Sequence, residues 1–104
     1  MPWYSKDLGS GVDAYEPTAL IQSAVMQSIS AALAAQRPNY NVAVFSYYDL
    51  RANMVTAWFS PGLEHIAEAF GATPCERPNP RERFGLLVGY PAAWDTYFPD
   101  RDLA

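Results

Sequence analysis

The residues best able to do chemistry in this chain are few: one histidine, His65, one cysteine, Cys75, and a short basic cluster at Arg77, Arg81 and Arg83. His65 lies between Glu64 and Glu68 in a stretch of helical periodicity. The two glutamates share a face at i, i+4, but His65 is turned roughly 100° from Glu64. A zinc-type set needs more His or Cys ligands than the chain offers, so His65 is expected on a solvated helix face and no metal site is assigned. Cys75 sits between Pro74 and Glu76. A nucleophilic thiolate needs a neighbouring cation or a helix N-terminus; Arg77 alone does not make a catalytic pair. No nucleophile elbow, phosphate-cradling loop or dinucleotide fingerprint is present, so no catalytic residue and no cofactor are expected. The three arginines would suit a carboxylate or phosphate, because a guanidinium fork matches both. Glu76 and Glu82 are interleaved with them, which favours local pairing on a solvated loop.

The aromatic residues are the stronger signal. Tyr47, Tyr48, Trp58, Tyr90 and Trp94 fall on or beside expected strands and near the C-terminal end. Tyr and Trp join apolar bulk to a polar tip, which suits a dimer seam or a pocket for a small apolar or aromatic ligand. Phe45, Phe59 and Phe70 are expected in the core.

Composition narrows the partners. Charged residues make up 17 % of the 104-residue chain and the net charge is −4. Lys6 is the only lysine. Nucleic acid and anionic membranes call for clustered Lys and Arg, so neither is expected as a partner. A lone cysteine fits a reducing compartment, and no signal-peptide pattern or apolar run of roughly 18 residues is present. The expectation is a cytoplasmic protein.

The elements that must position these residues follow from periodicity. Pro17 to Gln36 reads as a helix with no charge between Glu16 and Arg37, and apolar residues cover about two-thirds of its circumference, more than the roughly 100° stripe one layer needs. Ile21, Val25, Ile29 and Leu33 are therefore candidates for a dimer interface. Asn41–Tyr48 and Met54–Phe59 read as a β-hairpin, apolar on both faces, which implies a sheet covered on both sides. Ser60-Pro61 reads as a helix start, followed by the single stripe Leu63, Ile66, Ala67 and Phe70 and a stop at Gly71. Phe84–Tyr90 reads as a strand, and Pro91–Phe98 as a short helix.

With Trp3-Tyr4 as an edge strand, the order is (β)αββαβ(α). A single α+β domain over 1–104 is expected: a two-layer sandwich of an antiparallel sheet with two helices on one face, in the element order of ferredoxin-like domains, with a lead-in at 1–16 and a tail at 99–104. The expected function is a non-catalytic interaction or small-molecule-binding domain acting as a homodimer. Two alternatives share the composition: a cofactor-free enzyme of the dimeric α/β-barrel type acting on an aromatic or apolar substrate, and an acidic inhibitor or immunity-type protein that binds another protein.

Overall fold

The N-terminal strand expected at Trp3-Tyr4 is present, but it runs on through part of the expected lead-in and lies inside the sheet instead of at its edge. In the computed structural model, which describes residues 2–10, 12–36, 41–49, 53–78, 85–89, 93 and 96–97, the order is β1 (Trp3–Gly9), α1 (Tyr15–Ala34), β2 (Ala43–Asp49), β3 (Met54–Phe59), α2 (Glu64–Ala69), β4 (Thr73–Cys75) and β5 (Gly85–Gly89). The strands make one sheet in the order β4-β1-β3-β2-β5, antiparallel at every pairing. The α+β class and the antiparallel sheet are those expected. The strand order is fuller than expected. The place beside β1 is taken by Thr73–Cys75, a stretch read as loop, while Gly85–Gly89 lines up on β2 at the opposite edge.

Two tight turns explain that placement. Ser60, Pro61, Gly62 and Leu63 make a turn closed by the Leu63 amide on the Ser60 carbonyl at 3.2 Å, with Gly62 at φ +98°. Proline then glycine at the central positions is type II turn chemistry. The serine expected to cap the helix is instead fully buried, and its Oγ accepts the Ala43 amide at 2.8 Å. Helix α2 begins one turn later. It ends in a Schellman motif: the Ala72 amide reaches the Ala67 carbonyl, the Gly71 amide reaches that of Glu68, and Gly71 adopts φ +77°. The motif reverses the chain within two residues and delivers Thr73 to β1.

Both helices pack on one face of the sheet. Ile21, Val25 and Ile29 of α1 and Ile66 and Ala67 of α2 share one core with Val44, Ala57, Phe59 and Leu63. Helix α1 lies over β2 and β5, and α2 lies over β1. Phe59, at the centre of the sheet, is fully buried.

Backbone parity fixes what each sheet edge offers. The Ser60 amide donates to the Ala43 carbonyl, so Ala43, Phe45 and Tyr47 direct their backbone groups at β3, and Val44 and Ser46 direct theirs at β5. The backbone groups of their register partners Val88 and Leu86 therefore point inward to β2, and the backbone N–H and C=O of Leu87 point out from the sheet. On the other edge the same alternation, carried through Phe59 and Tyr4, turns the backbone nitrogen of Pro74 outward, where no N–H is needed.

Candidate functional site

The feature that ordinary core packing does not account for is the outer side of α1. Its inward stripe is Ile21, Val25, Ile29 and Ala32, at spacings of a single helix face. Three of the expected interface residues, Ile21, Val25 and Ile29, thus face the chain's own sheet; only Leu33 of that set is exposed. The sequence shows an over-wide apolar surface but not which stripe of it meets the sheet. On the outer side, Leu20, Met26 and Leu33 keep 54, 49 and 48 % of their surface exposed, and Tyr15 is more open still. Ala24 packs against the core on one flank. Tyr15, Met26 and Leu33 lie on the other, about 90–110° from the centre of the inward stripe by helix geometry. Apart from Glu16 in the first turn, the helix carries no charge.

The second sheet face carries half of the aromatic residues whose side chains are described. Phe45 and Trp58, opposite one another in register, stack at 5.9 Å and 24°. Phe45 and Ala43 are buried although they point away from both helices. Part of the cover comes from the chain itself. Tyr97 sets its ring edge-on to Trp3 at 5.0 Å and 77°, and its hydroxyl donates to the Asn41 carbonyl at 3.3 Å. Burial pushes the Tyr97 hydroxyl above the ordinary tyrosine range; hydrogen bonding with Ser60 pulls it back, and the charge of Glu64 adds to the rise. In the sequence Tyr97 stands among the aromatic residues near the C-terminal end suited to a groove or seam, with nothing to mark it as a cover for the chain's own sheet.

The remaining candidates disperse. Tyr47 and Tyr48 lie in β2, opposite Thr56 and Val55; their side chains fall outside the described structure, as do Tyr90, Trp94, Arg81 and Arg83 altogether. Arg77 is exposed, and so is His65, on the outer side of α2 as expected. Glu64 turns back to accept the Gly62 amide at 3.0 and 3.1 Å. Glu68 accepts the Tyr4 hydroxyl at 3.3 Å, and that hydroxyl is held above its ordinary range by burial first and then by the charges of Glu68 and Glu64. Cys75 is half-buried on the edge strand, its thiol directed to the Glu76 carbonyl. Among the described residues no group of three potential metal ligands comes together, and no helix is long and apolar enough to cross a membrane. Comparison with family models, curated proteins and solved structures finds no match for this chain.

Proposed function

We propose that this chain is a non-catalytic binding domain that works as a homodimer, assembled through the uncharged outer side of α1. The observation that carries the reading is the half-exposure of Met26 and Leu33 on one flank of a helix without charge beyond its first turn. Removing apolar surface from water stabilises an assembly by about 25 cal/mol per Å². A second copy can meet this face without setting like charges against each other, although the chain is net −4. Two like-charged copies repel wherever charged surfaces meet, and beyond Glu16 in the first turn this side of α1 brings none.

The barrel-type enzyme has less support. Such dimers close over their outer sheet faces, and here Tyr97 already occupies part of that face against Trp3. An inhibitor that binds a basic partner would group its acids, whereas Asp7, Asp13 and Glu16 lie near the N-terminus and Glu64 and Glu68 on α2.

Light scattering behind a sizing column tests the proposal. The wild-type chain is expected at twice its monomer mass. Met26→Glu and Leu33→Glu should halve that mass while circular dichroism stays native, since both side chains are half-exposed. A wild-type monomer at tens of micromolar (about the affinity of a weak specific pair) overturns the reading.

A further inference from the structure

We infer that the two copies join edge to edge, β5 pairing antiparallel with β5 of the second copy while the two α1 helices pack side by side above the seam. The inference rests on the homodimer reading and adds its geometry. Strand β5 is the last in the sheet, and among the described residues nothing pairs with its outer side. Its sequence, Gly-Leu-Leu-Val-Gly, has neither charge nor proline, the two devices that most simply protect an open edge.

The helix is placed to complete that joint. Strands β1 and β2 run parallel, both antiparallel to β3, and the crossover through α1 is right-handed by the general rule for such units. Followed from its N-terminus, a right-handed helix on that path turns its Tyr15–Met26–Leu33 flank away from α2 and out over β5. The opposite flank, which holds Ala24, then faces inward, in accord with the contact of Ala24 with the core.

Distances agree as well. Helix α1 lies over both β2 and β5, so its axis is about half a strand spacing inside β5. A two-fold axis beside β5 lies half a spacing outside it. With strands roughly 4.8 Å apart, the two α1 axes come to about 9.6 Å, inside the 8–10 Å at which helices pack. The exposed residues on that flank have the symmetry to match. Ala19, Met26 and Leu33 recur every seventh residue, all exposed. In an antiparallel pair Met26 meets its own copy on the axis, and the small Ala19 faces the large Leu33.

Leu87 is the point at which to test this, because its amide points outward while those of Leu86 and Val88 serve the ladder to β2. Hydrogen exchange of the wild-type chain, run at concentrations above and below dimer dissociation, is expected to show the Leu87 amide protected at least tenfold more in the dimer. Leu87→Pro removes that donor and spares the inner ladder, so it should raise the dimer dissociation constant at least tenfold with the fold intact. A dimer whose Leu87 amide exchanges as in the monomer overturns edge pairing. So does a folded Leu87→Pro chain that dimerises as well as wild type while Met26→Glu does not; in both cases the homodimer reading stands. If the proline variant does not fold, the exchange measurement on the wild type decides alone. A wild-type chain that is monomeric throughout overturns both.

Discussion

Ser46 is the one described side chain buried with no hydrogen-bond partner for its oxygen. It lies in β2 opposite Ala57, on the face that meets the helices, where a hydroxyl is out of place. A buried donor left unmade carries its whole desolvation cost. Ser46→Ala is therefore expected to raise stability by about 1 kcal/mol, read as an upward shift in the urea midpoint with an unchanged slope. A loss of stability instead would mean that the hydroxyl is held by an internal water. Ser60, just past the end of the neighbouring strand β3, is the contrast. It is equally buried, yet its oxygen takes up the Ala43 amide that the end of the β2–β3 ladder leaves over. The sequence distinguishes neither serine from an ordinary surface one, because hydroxyl satisfaction depends on which strands become neighbours.

Among the elements, the Ser60–Leu63 turn sets where α2 starts and hence where β4 lands. Gly62 cannot be replaced cheaply: its φ is +98°, and an added Cβ would stand 2.9 Å from Cγ1 of Val42. Gly62→Ala should cost about 1–3 kcal/mol, measured by urea denaturation. Little change would show that the turn can flip to a conformation alanine accepts. The hairpin, the long helix and the stripe of α2 were legible because each rests on local periodicity, and the strand at 85–89 because it is a short apolar run. Three features were not. The strand expected at Trp3-Tyr4 extends to Gly9 through Lys6 and Asp7, whose charges break the apolar pattern. Its place inside the sheet, not at the edge, comes from the addition of β4 outside it, while pairing with β3 lets the Thr56 hydroxyl donate to Asp7 at 3.0 Å. The strand Thr73–Cys75 is three residues around a proline, below any periodic signal. The inward face of α1 is chosen by the sheet, not by its own composition. That choice leaves Leu33 alone of the four expected interface residues on the surface, so a charge at Val25 or Ile29 would probe the core rather than a seam.

At the scale of the whole molecule, two chains of charge −4 that meet through an uncharged seam gain no Coulombic attraction and pay for their mutual repulsion. Salt screens that repulsion over about 8–10 Å at physiological strength. Dimerisation is thus expected to tighten between 20 and 300 mM salt (roughly severalfold, as for other screened like-charge pairs), measured by sedimentation equilibrium in sodium chloride. Weakening over that range would point to salt bridges at the contact and against an uncharged one. The two ends of the sheet differ in a way that bears on how far assembly proceeds. At β4 the single residue whose backbone nitrogen faces outward is Pro74, and it has no hydrogen to give; at β5 the same alternation turns Gly85, Leu87 and Gly89 outward, each with an amide to give. A sheet with two open edges is a bifunctional monomer and can polymerise into a ribbon. One with a proline-stopped edge is monofunctional: each addition consumes the only reactive end, and growth terminates at the pair.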